Sequence, residues 1–240
     1  EGIHSILLDY ISRPEFIIYL PQIGDGIGSG VSLRTTITVL NLSGSTAQGS
    51  LALMDSSGDP FSLQVNGVVG NKFDFSILPY RSRTFRTSGT ATPLASGYAR
   101  IQSSAPIEAN AVFQVVNSAE EVITEAGIGS SSGKILSSGA VHRIADEDID
   151  SGLALVNTSS EAAELFVLLL PESGQSIRVE IQLGPGEHRA KFLGEVFPEV
   201  LQGDFQGNIR VSSDRAIALV VIRTKDGLPI SSLPVGSTER

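Results

Sequence analysis

One stretch of this chain occurs twice. Thr36-Ile37-Thr38-Val39-Leu40-Asn41-Leu42-Ser43-Gly44 leads through a polar turn to Ser50-Leu51-Ala52-Leu53-Met54. Gly152-Leu153-Ala154-Leu155-Val156-Asn157-Thr158-Ser159-Ser160 leads in the same way to Phe166-Val167-Leu168-Leu169-Leu170. Asn41 corresponds to Asn157, 116 positions on, and the spacing holds without a gap to Val65 over Ile181. Later, Gly97-Tyr98-Ala99-Arg100-Ile101 returns as Gly207-Asn208-Ile209-Arg210-Val211 at a spacing of 110, with Ile107 over Ile217. An order of segments kept while the loops between them change length marks a duplicated unit. Within each copy, short runs alternate apolar and polar residues, as in Phe73, Phe75 and Ile77 or Val179, Ile181 and Leu183. That alternation lines one face of a strand. No long helical period appears. The sequence therefore predicts an all-β fold of two tandem antiparallel β-sandwiches, immunoglobulin-like and derived by internal duplication.

A chain of 240 residues accommodates two domains of ordinary size. The expected organisation is an N-terminal arm over residues 1–14, a first sandwich over 15–130, a Gly/Ser linker over 131–139 and a second sandwich over 140–240. The boundary is read from Gly127-Ile128-Gly129-Ser130-Ser131-Ser132-Gly133, because Gly/Ser runs make flexible connections. Phe16-Ile17-Ile18-Tyr19-Leu20 reads as a buried strand that Pro21 stops. Gly24-Asp25-Gly26-Ile27-Gly28-Ser29-Gly30 reads as a flexible inter-strand loop. It is not a dinucleotide fingerprint, which must open a helix, whereas Val31 and Ser32 lead into another strand. Phe192-Leu193-Gly194-Glu195-Val196-Phe197 reads as a single helical turn before Pro198.

Tyr19-Leu20-Pro21-Gln22 before the Gly-rich loop, Val39-Leu40-Asn41, Arg86-Thr87-Ser88-Gly89 and Thr124-Glu125-Ala126-Gly127 carry a resemblance. Over most of residues 16–240 the chain resembles a repeat of predicted secreted proteins from environmental bacteria. The resemblance implies an extracellular β-sandwich and no catalytic activity.

Composition excludes several classes of partner. A net charge of −9 argues against nucleic acid and anionic membrane, since phosphate binding needs clustered Lys and Arg. The chain has no Cys, which removes disulfides, thiolate metal sites and thiol catalysis. No apolar run approaches the roughly 18–20 residues of a membrane span. The opening Glu1-Gly2-Ile3-His4, without Met or a signal peptide, is what a processed or trimmed start would leave.

Candidate chemistry is sparse. His4, His142 and His188 share no metal-ligand spacing and read as structural or surface residues. Gly129-Ser130-Ser131-Ser132-Gly133 matches G-x-S-x-G in form, but a nucleophile elbow must join a strand to a helix. Asp146, Asp148 and Asp150 are the expected ligands if any cofactor is present, as carboxylates in a loop suit Ca²⁺; Asp25 is a weaker calcium candidate. Asn41-Leu42-Ser43 and Asn157-Thr158-Ser159 match the glycosylation pattern, yet both fall in hairpin turns, where Asn is favoured for bonding the local backbone. Arg81, Arg83 and Arg86 are expected to form ion pairs, within the molecule or between subunits, rather than to bind an anion.

The reading that follows is a non-catalytic extracellular structural or adhesive protein, located outside the cell or at its surface. It would be the subunit of a fibre or layer, self-associating through the arm. Ile3, Ile6, Leu7, Leu8, Tyr10 and Ile11 are the expected subunit contacts, because they are too apolar for a free tail and could add a strand to a neighbour's sheet edge. A glycan-binding module is the alternative, weakened by the absence of Trp and by aromatics at only 6%. A glycosidase would need two carboxylates at a defined separation, and no spacing singles out a pair.

Overall fold

A computed structural model describes residues 15–28, 30–198, 200 and 203–237. Strand makes up 68% and helix 4%, with antiparallel sheets, so the chain is all-β. In the N-terminal half the strands are β1 (Phe16–Gly28), β2 (Val31–Asn41), β3 (Ala47–Met54), β4 (Leu63–Val65), β5 (Val68–Gly70), β6 (Lys72–Ile77), β7 (Ser82–Arg86), β8 (Ala95–Ser103), β9 (Ile107–Val116) and β10 (Val122–Gly129). One layer runs β1-β8-β3-β6 and the other β7-β2-β9-β10. β1 joins them, pairing with β8 as far as Asp25 and with β2 from Gly26 onward. Between the layers lies an aliphatic core that includes Leu20, Ile37, Val39, Leu51, Leu53 and Ile101.

The C-terminal half comprises β11 (Lys134–Arg143), β12 (Ile149–Asn157), β13 (Ala163–Pro171), β14 (Ile177–Leu183), β15 (His188–Phe192), the single turn α1 (Leu193–Val196), β16 (Phe205–Lys225), β17 (Leu228–Leu233) and β18 (Val235–Ser237). Its pairings repeat those of the first half, with offsets of 116 and 110 as in the sequence and a further one of 106 at the end of β6. Asn41 lies opposite Ile107 as Asn157 lies opposite Ile217, and Ala47 opposite Ile77 as Ala163 opposite Leu183. β8 and β9 are separate where Pro106 interrupts the chain, since proline has no N–H to give to a ladder. Their counterpart is the unbroken β16, which has no proline.

Three local expectations give way. β1 does not stop at Pro21 but continues across a register shift between Leu20 and Ile23. A bulge of this kind accommodates a residue that cannot donate to the ladder. The glycine run 24–28 is strand rather than loop, and Asp25 within it is buried. The Gly/Ser run is no free connection either. Gly127–Gly129 belong to β10, Lys134–Gly139 belong to β11, and Ser131 exchanges two 2.8 Å backbone bonds with Tyr19 at the edge of β1. The arm residues Ile3, Ile6, Leu7, Leu8, Tyr10 and Ile11 lie outside the described residues.

The two halves pack face to face. Ala154, Val156, Ala218, Val220 and Ile222 are buried on the outer face of β12 and β16, while Leu153, Leu155 and Val221 fill the C-terminal core on the inner face. A strand covered on both faces carries an unbroken apolar run, and Leu153–Val156 and Ile217–Ile222 are such runs. Opposite them, Tyr19, Tyr98 and Met54 stand on the outer face of β1, β8 and β3 and cluster with Val156 and Ala218. Each large apolar side chain buried in this seam contributes roughly 1.5–3 kcal/mol.

Candidate functional site

The seam gathers the chain's most unusual polar side chains. His188, at the start of β15, is 5% exposed and lies against the ring of Tyr98, with centroids 6.0 Å apart. Its Nε2 is 2.9 Å from Gln22 Oε1, and its backbone N–H donates to Ser56 O at 3.0 Å. Burial pushes the imidazole pKa down to about 4, and the Pro21 carbonyl offsets only part of that. The ring is therefore neutral at pH 7, and its single N–H serves Gln22 Oε1 in one tautomer and the Pro21 carbonyl in the other. Burial likewise pushes the Tyr98 hydroxyl up to about 12, reinforced by Tyr19. Tyr19 in turn donates to Thr158 O across the seam at 3.4 Å. These groups lock strands of the two halves together. Beside them is an apolar cleft of about 210 Å³, lined by Leu33, Phe113, Ala154, Phe192, Ile222 and Pro229, with the Lys191–Glu195 pair at its rim at 3.1 Å.

Elsewhere, buried polar side chains serve the backbone. Asn41 Nδ2 donates to the carbonyls of Ser45, Ile77 and Leu78 at 2.7–3.2 Å, while Oδ1 accepts from Ser43 N. Asn157 repeats the pattern with Glu161, Leu183 and Gly184, and accepts from Ser159 N. The two asparagines are 2% and 1% exposed, so both glycosylation-like motifs are turn anchors whose amide nitrogens face inward. Thr35 Oγ1 both accepts from and donates to Gly24, as Ser151 Oγ does with His142. Asp25 accepts from Gly89 N and Ala91 N, holding the loop after β7.

The acidic run is spread out by the fold. Asp146 is exposed in a 3-10 turn (Ala145–Glu147), Asp148 has a left-handed φ of 50°, and Asp150 opens β12. Asp150 turns one oxygen to Arg143 Nη1 at 3.3 Å and accepts from Ser151 N with the other. Burial raises its pKa. Among the described residues no three His, Asp or Glu side chains form a group that could hold a metal ion. Arg81, Arg83 and Arg86 make no ion pair among the described residues. Arg83 lies 5.4 Å from the Phe85 ring centroid and Arg86 Nε donates to Thr36 Oγ1 at 3.3 Å.

Sequence reasoning passed over Tyr80. It is 73% exposed at φ 57°, a conformation that costs a residue bearing Cβ roughly 1–2 kcal/mol. Its counterpart across the repeat is Gly186, at φ 68°. That glycine is pressed against the first half: a Cβ on its neighbour Gly58 would meet Gly186 O at 2.7 Å. Tyr80 instead lies beside Gly44, where an added Cβ would meet its hydroxyl at 3.3 Å, and borders a shallow groove of about 390 Å³ with Leu40, Leu42 and Arg81. Laying Pro79-Tyr80 over Pro185-Gly186 in the sequence would have exposed the oddity.

Fold and site together define an all-β protein with a packed internal seam. No protein-family model matches the chain, and no curated protein matches it.

Proposed function

We propose that the chain is a non-catalytic extracellular structural or adhesive protein. In this reading residues 15–130 and 140–240 are tandem immunoglobulin-like sandwiches, derived by duplication and packed into one stiff body. The supporting observation is how its buried polar groups are used. Asp25, Thr35, Asn41, Ser151, Asn157 and His188 all bond backbone or the seam. Polar chemistry spent on holding strands in place suits a protein that bears load or presents a surface. The apolar arm over residues 1–14 is the proposed means of assembly, through Ile3, Ile6, Leu7, Leu8, Tyr10 and Ile11. Negative-stain imaging of the protein from its native source should show filaments or a lattice, and deletion of residues 1–13 should reduce the mass measured by light scattering to that of a monomer. Dispersed native particles, or assemblies that survive the deletion, would overturn the assembly role.

Tyr80 favours a second reading, a glycan-binding module. An exposed ring held in a strained backbone beside Arg81 offers the stacking face that sugars use. A glycan array probed with the wild-type chain and Tyr80→Ala separates the two readings. Signal that disappears with the ring supports glycan binding, and an array blank for both proteins removes it.

A further inference from the structure

The C-terminal half carries an open groove of about 720 Å³ on its far side, lined in part by His142, Arg143, Glu172, Asp204, Asn208 and Arg223. His142 and Asn208 stand on the outer face, where the N-terminal half receives His188, while Arg143 and Arg223 take positions that face inward in that half. Leu170 lies opposite Asn208 as Met54 lies opposite Tyr98, so Asn208 stands where the ring that stacks on His188 stands. By the same register His142 replaces Gly24, Arg143 replaces Asp25, and Arg223 replaces Phe113. An acidic and an aromatic position have become two arginines, in a chain of net charge −9.

Neither guanidinium is fully used. Arg143 gives Nη1 to Asp150, while its Nε is buried without a partner. Arg223 Nε is buried and unpartnered as well, and no ion pair to Arg223 forms among the described residues. A buried donor lacking an acceptor is unfavourable until one is supplied. Beyond its bond to Asp150 the Arg143 tip still has Nη2, and a guanidinium tip suits the oxygens of a carboxylate. Arg223 enters from the neighbouring strand, opposite Ser151, whose hydroxyl bonds the backbone of His142. Glu172 and Asp204 at the rim repel a doubly charged phosphate more than a single carboxylate.

We propose that this groove is a binding site for a small carboxylate-bearing ligand, gripped between Arg143 and Arg223. The site stands independently of the structural or adhesive role. NMR of the arginine Nε–Hε groups in the full chain tests it, with acetate, galacturonate and inorganic phosphate as probes. The Arg143 and Arg223 signals should move together and saturate with a carboxylate, with a dissociation constant on the order of 1 mM. Acetate and galacturonate in parallel distinguish a simple acid from an acidic sugar. Arg223→Gln should weaken binding roughly tenfold, as should Arg143→Lys, which keeps a charge for Asp150 but loses the planar guanidinium tip. Shifts that follow NaCl, tighter binding of phosphate than of either carboxylate, or unchanged binding in whichever variant folds would overturn the proposal.

Discussion

Asn41 and Asn157 do at single positions what a turn cannot do alone. Each shares two N–H protons among three carbonyls and takes a backbone N–H on its oxygen, although Ser45, Leu78, Glu161 and Gly184 O also accept a second bond. Asn157→Ala should therefore lower the unfolding free energy by about 2–3 kcal/mol in urea. Asn157→Asp should cost more, because a carboxylate cannot donate and would face the same three carbonyls; a tolerated Asp would show that donation is not the role. The turn reading of these residues was available from the sequence. Their reach to Leu183 and Gly184 was not, since it depends on how β14 ends. At Tyr80 the left-handed backbone is strained, and the other half solves the same turn with Gly186. Tyr80→Gly should stabilise the fold by roughly 0.5 kcal/mol, the relief of strain exceeding the extra entropy of an unfolded glycine. Thermal unfolding that instead falls by several degrees would mean the ring makes a contact worth more than its strain.

Individual strands were legible to different degrees. Alternation revealed β6 and β14 because each has one buried face. β1 was cut short in the sequence reading because Pro21 and the glycines signal a break locally. Pairing with β8 and β2 outweighs that signal, and the bulge and the buried Asp25 carboxylate absorb it. The apolar runs of β12 and β16 already carried the signature of two-sided burial. Their partner face was hidden, because Tyr19, Tyr98 and Met54 come from three strands far apart in the sequence. The two faces of the repeat now give a matched test. Ala154 on β12 is buried in the seam, and its counterpart on β2 is the partly exposed Thr38. Ala154→Glu should cost roughly 3 kcal/mol or more by burying an unpaired charge, while Thr38→Glu should change stability by less than about 0.5 kcal/mol. Equal effects in chemical denaturation would mean the seam does not hold the halves together.

The behaviour of the whole molecule with pH follows from the seam. His188 titrates near 4 when folded and near its ordinary value of 6.5 when unfolded. Between those values the unfolded chain binds a proton that the folded chain refuses, so stability is complete above about pH 6.5 and falls on acidification by roughly 3 kcal/mol in all. His142, lowered mainly by burial, acts in the same direction, whereas Asp150, raised by burial, opposes it. Urea titrations from pH 7.5 to 4 should show the loss in the wild-type chain and a flatter profile in His188→Gln. A profile unchanged by that substitution would place the proton elsewhere. None of this was visible in the sequence, where His188 lies 166 positions from the glutamine it bonds. The seam also gives the pair a direction. Ala218 and Val220, which it buries, correspond to the exposed Glu108 and Asn110 on β9, and Tyr19 and Tyr98 correspond to the exposed Ser138 and Asn208 on β11 and β16. Written in the opposite order, the same two halves would press a lone carboxylate against serine and asparagine instead of valine against tyrosine. The two halves are thus not interchangeable: each carries a face that fits only its own place in the chain.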